Sequence, residues 1–105
     1  MYIIDGERAQ QLRRELQAKW NRDVSQVELA EIVMGRLRAR GVAIRGINRN
    51  TIGKIEHGRF RELDLEVISE IAELYAENGL DASNILRYER RSTSDVQKNV
   101  GPLYA

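Results

Sequence analysis

The segment 48–61 carries polar and basic side chains that are suited to binding rather than to covalent chemistry. The guanidinium of Arg49 can donate two hydrogen bonds to a guanine, and the amide of Asn50 can pair in the same way with an adenine. Lys54 lies one helical turn after Asn50 and can reach a base edge or a phosphate. We therefore expect these three residues to contact bases in a nucleic-acid complex. Phosphate contacts are expected from Thr51, Arg59 and Arg61.

Residue sets for catalysis or metal binding are not apparent in the sequence. The chain has one histidine and no cysteine, which excludes disulfides, thiolate nucleophiles and structural zinc. A Ser-His-Asp arrangement would depend on His57 alone, and we interpret His57 as an exposed residue at a helix end. Gly53-Lys54 lacks the upstream glycine and the following Ser or Thr of a phosphate-binding loop. We expect no enzyme activity, cofactor, metal or small-molecule substrate.

The charges form two opposed blocks along the chain. The 17 basic and 16 acidic residues give a net charge of only +1. Residues 34–61 hold eight basic side chains and one acidic, a net charge of +7, whereas residues 62–89 hold one basic and eight acidic, a net charge of −7. The basic block can face phosphates, or the two blocks can pair with each other. If it faces phosphates, four further arginines are expected to contact them: Arg36, Arg38, Arg40 and Arg45.

The hydrophobic spacing predicts an all-α fold, a compact orthogonal bundle of about five helices. Apolar residues recur three or four positions apart, and Ser25, Asn48, Asp64 and Asp81 are each placed to cap a following helix. Trp20 and Tyr75 are expected in the core rather than as stacking platforms. The predicted helices cover 7–20, 26–40, 49–57, 65–78 and a short segment after Asp81 that contains Ile85 and Leu86.

Three segments in the correct order resemble the lambda-repressor-like helix-turn-helix family, also called the Cro or xenobiotic-response-element type. The sequence SQVELAE at 25–31 is similar to the opening of the motif, and GINRNTIGKIEHG at 46–58 is similar to its turn and recognition helix. The helix over 65–74 is similar to the fourth helix of the family. The resemblance covers roughly residues 7–88.

The resemblance implies a sequence-specific regulator of transcription that binds double-stranded DNA, as phage repressors and Cro proteins do. Residues 48–57 would form the recognition helix in the major groove, and Gln26, at the start of the second helix, would contact a phosphate. Residues 1–90 would form the helix-turn-helix domain and 91–105 a loose polar tail. The family implies a homodimer on a palindromic operator. Expected dimer contacts are Ile85, Leu86 and Tyr88, or alternatively Val100, Leu103 and Tyr104 in the tail.

The chain departs from the family pattern between the two motif helices. Segment 34–45 adds roughly twelve residues, which a second helix longer by about two turns and a loop can accommodate. A rival register places the turn at Met34-Gly35 and starts the recognition helix at Arg36. Both registers place Arg36, Arg38 and Arg40 beside the expected DNA surface.

Two other roles are compatible with the same fold. An antitoxin-type autoregulator would bind DNA in the same way. A protein-interaction module would instead bind a partner chain through its acidic helix, with Glu66, Glu70, Glu73 and Glu77. The basic block distinguishes the DNA-binding roles from the protein-interaction module, because a pure protein binder does not need a basic block.

The length of 105 residues suits one domain with a core of its own. No apolar run approaches the roughly 20 residues that span a bilayer, and the first residues lack a basic segment followed by an apolar one. We therefore expect a soluble cytoplasmic protein without a membrane partner.

Overall fold

The fold is mostly helical, and its first and last described strands pair with each other. The computed structural model describes residues 2–43, 46–59, 61 and 64–88. In chain order the described elements are β1 (Tyr2–Ile4), α1 (Gly6–Trp20), α2 (Gln26–Ala39), α3 (Arg49–Glu56), α4 (Leu65–Glu77) and β2 (Leu86–Tyr88).

The apolar stripes of the four helices meet in one core, as their spacing predicts. The short helix α3 packs against α1 and α2, and α2 also packs against α4. Tyr75 is fully buried and Trp20 is half-buried against the core, where its indole N–H donates to Asn78 Oδ1 at 2.9 Å. The largest buried side chains include Leu12 and Leu16 of α1, Leu29 and Leu37 of α2, Ile52 and Ile55 of α3, and Ile68 and Tyr75 of α4.

Polar side chains satisfy the free amides at the starts of α1 and α2. Asp5 Oδ1 accepts a hydrogen bond from the Arg8 amide at 3.0 Å, and Ser25 Oγ accepts one from the Glu28 amide at 3.2 Å. The Glu28 carboxylate does not reach back to the cap, because it pairs with Arg22 at 2.5 Å. The predicted cap at Ser25 is therefore confirmed, and only half of the capping box is formed.

Two predicted caps are wrong. Asp64 has helical dihedral angles, with φ −91° and ψ −1°, instead of the extended ones typical of a cap. Its carboxylate turns back and accepts a hydrogen bond from the Arg61 amide at 3.0 Å. Asp81 likewise accepts hydrogen bonds from the amide and the hydroxyl of Ser83, at 3.1 and 2.7 Å, and closes a local turn instead of starting a helix.

The predicted fifth helix is wrong, and the all-α class is corrected to a mostly helical fold with a small sheet. β2 pairs antiparallel with β1, and Leu86 is opposite Ile4 in the register. The Asp5 amide extends this pairing by donating to the Ile85 carbonyl at 2.8 Å. The apolar pair Ile85-Leu86 fits a strand as well as a helical turn, so the remote partner at the other end of the described chain decided between them.

Helix α2 is long, as the additional segment in the sequence predicts. It continues for 14 residues to Ala39, and Gly41 follows with φ +76° in the left-handed region. The rival register is wrong, because Met34 and Gly35 lie inside this continuous helix and form no turn. The additional residues of the segment thus form helix and a loop between α2 and α3.

Some sequence-based predictions fall on residues outside the described ranges. They concern Arg45 and the polar tail 91–105, with its alternative dimer residues. In the part of the chain that the structure describes, every helix is too short or too polar to cross a bilayer.

Candidate nucleic-acid interface

Helix α3 is held with its polar face outward. Asn48 Oδ1 accepts hydrogen bonds from the amides of Asn50 and Thr51, at 2.9 and 3.2 Å, which confirms the predicted cap. Thr51 Oγ1 accepts from the Asn48 amide at 3.4 Å and completes a capping box. On the opposite face Ile52 and Ile55 are buried. The helix therefore exposes Arg49 and Asn50 in its first turn, while the hydroxyl of Thr51 already has a structural partner.

A shallow groove of about 460 Å³ runs along the exposed face of α3 and brings most of the predicted contact residues together. All three predicted base-contact residues line it, together with two of the predicted phosphate contacts, Gln26 and Arg59. No carboxylate lines this groove in the described part of the chain. The described residues that line it are Gln26, Arg49, Asn50, Gly53, Lys54, His57 and Arg59.

The cations of this α3 groove are not neutralised by neighbouring side chains. Arg49, Lys54 and Arg59 are exposed, and none forms an ion pair with a carboxylate of the described residues. Arg61 differs, because its exposed guanidinium lies 3.6 Å from the largely buried carboxylate of Asp64. The α3 groove therefore carries three positive charges, and no described acidic side chain lies among them.

A buried carboxylate fixes α3 to the two preceding helices. Glu56 is only 3% exposed and accepts hydrogen bonds from Arg13 Nε at 2.7 Å and Arg13 Nη2 at 3.1 Å. It also accepts from Gln26 Nε2 at 3.0 Å, so the amide predicted to contact a phosphate is already oriented by the core. The hydrogen bond to Glu56 raises the pKa of Arg13. Burial also raises the pKa of Tyr75, whose hydroxyl has no hydrogen-bond partner in the described structure.

The Arg13–Glu56 pair was not predicted from the sequence, although Glu56 carries a signal for it. Glu56 is the single acidic residue in the basic block 34–61. A lone carboxylate next to the buried position of Ile55 indicates a structural ion pair, because buried charges require partners. Its partner could not be identified, because Arg13 is 43 residues away.

Arg36 and Arg40 do not lie on the α3 groove, which corrects their predicted position beside the DNA surface. Arg36 Nε donates to Glu70 Oε2 at 2.8 Å and its guanidinium also binds Glu77, while Arg40 Nε lies 3.1 Å from Glu70 Oε1. Arg40 also binds Glu73. Hydrogen bonds to Glu77 and Glu73 raise the pKa values of Arg36 and Arg40, and Arg36 lowers that of Glu77. For these two arginines, pairing between the charge blocks is the correct alternative.

Arg38 is separated from this network. It is exposed, forms no ion pair with a described carboxylate, and lies two residues after Arg36, roughly 200° around the helix axis. Among the described residues of the basic block, Arg36 and Arg40 thus brace α4, Arg61 pairs with Asp64, and four cations form no ion pair with a described carboxylate: Arg38, Arg49, Lys54 and Arg59.

The predicted dimer contacts lie at the two-stranded sheet rather than on a fifth helix. Ile85 is 1% exposed and packs in the core, so its assignment to a dimer surface is wrong. Leu86 is half-buried against the same core, and Tyr88 is opposite Tyr2 in the strand pairing. The hydrophobic character of Ile85 therefore reflects folding within the chain.

The groove on α3, with its free cations and its helix braced from behind, has the composition of a polyanion-binding surface. Comparisons of the chain with protein-family models, with curated proteins and with solved structures found no match.

Proposed function

We propose that the chain is a sequence-specific transcriptional regulator that binds double-stranded DNA, with α3 as its recognition helix in the major groove. The observation that carries this proposal is the composition of the α3 groove. Arg49, Asn50 and Lys54 line it together, and no described carboxylate opposes them. Arginine and asparagine side chains on an exposed helix face are suited to the donor and acceptor pattern of the major groove.

The packing of α2 and α3 supports a helix-turn-helix arrangement with a long connection. The Gln26–Glu56 hydrogen bond joins the first residue of α2 to the last turn of α3. Gly53 lies at this junction, and a Cβ placed there would make an ordinary van der Waals contact with Gln26 Oε1 at 3.7 Å. The amide of Gln26 and the N-terminus of α2 are thus placed at the edge of the groove, where a phosphate can bind.

The charge distribution supports a nucleic-acid partner better than the net charge of +1 suggests. Glu70, Glu73 and Glu77 form ion pairs with Arg36 and Arg40, so much of the acidic block is already paired within the chain. Arg38 remains exposed, in addition to the cations of the α3 groove. Each cation that neutralises a phosphate releases counterions, so binding is expected to weaken steeply as salt is added.

The same pairing argues against a protein-interaction module based on the acidic helix. Three of the four carboxylates named for that role are engaged by Arg36 of α2 and by Arg40 at its C-terminal cap, and Glu70 is 2% exposed. A partner chain would have to displace these ion pairs before it could bind the carboxylates. The acidic face of α4 is better explained as a brace for the extended α2.

In vitro selection from random duplexes with the purified chain tests the proposal. We expect enrichment of one sequence, arranged as a palindrome with half-sites about 34 Å apart if the chain binds as a dimer. An Arg49→Ala, Lys54→Ala double variant provides the matched control, because both residues are exposed and the fold does not depend on them. Failure of the wild-type chain to enrich any sequence would contradict the proposal.

A further inference from the structure

His57 lies at the end of α3, where the α3 groove meets a second cavity. It is exposed and lines the groove together with Lys54 and Arg59. Its ring nitrogen Nδ1 lies 2.8 Å from the backbone oxygen of Gly53, one helical turn earlier. A carbonyl oxygen can only accept a hydrogen bond, so Nδ1 carries the proton in this contact. No described group bonds the other ring nitrogen, Nε2.

This tautomer determines what the ring can offer to a ligand in the groove. When the imidazole is neutral and Nδ1 is protonated, Nε2 has a lone pair and acts only as an acceptor. A phosphate oxygen is also an acceptor, so the neutral ring and a phosphate repel each other. Protonation at Nε2 adds a positive charge and a hydrogen-bond donor, and the Gly53 contact is retained.

We propose that His57 is a phosphate-binding residue of the α3 groove that acts in its doubly protonated form, so that DNA binding is coupled to proton uptake. The inference rests on the proposed function, because the phosphate belongs to the bound duplex. In this step a proton from solvent binds Nε2, which then donates its N–H to a phosphate oxygen. The DNA backbone remains covalently unchanged.

Charged residues lie on both sides of His57. On the groove side it faces the cations Arg49, Lys54 and Arg59. On the other side, a cavity of about 740 Å³ is lined by Asp5, Glu7 and Glu56, and the Glu56 carboxylate is held in the interior by Arg13.

The composition of the chain allows this proton to be assigned. His57 is the only histidine, and there is no cysteine. Histidine is the side chain whose charge ordinarily changes between about pH 5 and pH 8. Proton uptake in this range that disappears on substitution of His57 therefore belongs to this side chain.

The test measures the affinity of the full chain for a random-sequence duplex of about 30 base pairs, between about pH 5.5 and pH 8.5, at fixed low salt. We expect wild-type affinity to fall by about tenfold over this range, which corresponds to one charge-assisted contact. His57→Gln is expected to bind at the weak level throughout, because its amide cannot gain a charge. His57→Lys is expected to bind at the strong level throughout, because lysine stays protonated. Titration calorimetry in buffers with different ionisation enthalpies should count up to about half a proton per wild-type chain, at the pH where the affinity changes most steeply, and none for His57→Gln.

The possible results separate a failure of the His57 role from a failure of the DNA-binding proposal. DNA binding that does not depend on pH in the wild-type chain overturns the role of His57 and leaves the DNA-binding proposal standing. Equal pH dependence in the wild-type chain and His57→Gln overturns the role in the same way, because another group then titrates. Absence of DNA binding at every pH overturns both proposals. Thermal unfolding of the variants confirms that the comparison is made on folded chains.

Discussion

Arg13 and Glu56 form a two-point ion pair that joins the middle of α1 to the last turn of α3. Nε donates at 2.7 Å and Nη2 at 3.1 Å, and the Glu56 side chain is 2% exposed. The exposed face of α3 thus depends on a charge pair in the interior. Its orientation is set from behind, by Arg13, which does not line the α3 groove.

Removing one member of this pair is expected to destabilise the fold strongly. Arg13→Ala leaves the buried Glu56 carboxylate with the amide of Gln26 as its remaining side-chain donor, and should lower the free energy of unfolding by about 3 kcal/mol. Glu15→Ala, which breaks the more exposed Arg8–Glu15 pair, should cost less than about 1 kcal/mol. Urea denaturation followed by circular dichroism measures both. Equal losses of unfolding free energy in the two variants would contradict the larger contribution expected of the buried pair.

Two arginines of the α3 groove should differ in what they contribute to DNA binding. Arg49→Ala should cost about 1–3 kcal/mol on the selected site and relax base preference at one position, because Arg49 is placed for a base edge. Arg59→Ala should weaken binding to the selected and scrambled duplexes equally and reduce the salt slope by about one, as expected of a phosphate contact. Titrations at two salt concentrations separate the effects. Equal weakening of both duplexes by Arg49→Ala would contradict its base-reading role.

Arg36, which pairs with α4, and Arg38, which is exposed, should differ in their contributions to stability. Arg36→Ala removes a partner of the buried Glu70 and should lower the free energy of unfolding by about 1–3 kcal/mol with little effect on DNA affinity. Arg38→Ala is the matched control two residues along the same helix, and should leave stability unchanged within about 0.5 kcal/mol. Denaturation and DNA titration of both variants provide the readout. A large loss of affinity in folded Arg36→Ala would contradict its bracing role.

Glu77 should contribute to stability at neutral pH and lose that contribution in acid. Its hydrogen bond from Arg36 lowers its pKa below the ordinary value of 4.5. The contribution is therefore complete above that value and declines as the pH falls through the lowered pKa. Glu77→Gln should be less stable than the wild-type chain at pH 7, and the difference should shrink in acid. Glu66→Gln is the control, because Glu66 forms no ion pair within the described residues. Urea denaturation at several pH values compares the variants, and a difference independent of pH would contradict the assignment.

Two glycines in helices should respond to alanine in opposite directions. A Cβ at Gly6 would lie 2.6 Å from both the Glu56 carbonyl oxygen and the Gly58 amide nitrogen. Because both contacts are backbone, Gly6→Ala must displace the end of α3 and should cost about 1–3 kcal/mol. A Cβ at Gly35 meets no atom within 4 Å, so Gly35→Ala in the middle of α2 should stabilise by about 0.5–1 kcal/mol. Thermal unfolding measures both, and a stable Gly6→Ala variant would contradict the close packing of α1 on α3.

Features that depend on neighbours in the sequence were predictable. The apolar spacing of Ile52 and Ile55, and the cap at Asn48, correctly predicted the position and the outward face of α3. A helix period and a cap involve residues within about one turn of each other, so their energetics can be read from a short segment. Local reading failed at Asp64 and Asp81, where each side chain bonded a nearby amide in a turn. An aspartate can cap a helix or close a local turn, so the residue type alone does not distinguish the two structures.

By itself the sequence determined the four helices, their buried faces and the concentration of cations around α3. Only the tertiary structure decided which cations form ion pairs. Arg36 and Arg40 pair with carboxylates of α4, whereas Arg49, Lys54 and Arg59 remain exposed. It likewise decided that Ile85 belongs to the core, beside the strand pair. The physical reason is common to these cases. Charge pairs and strand pairs join residues that are far apart in the chain, and their partners become defined only when the helices pack.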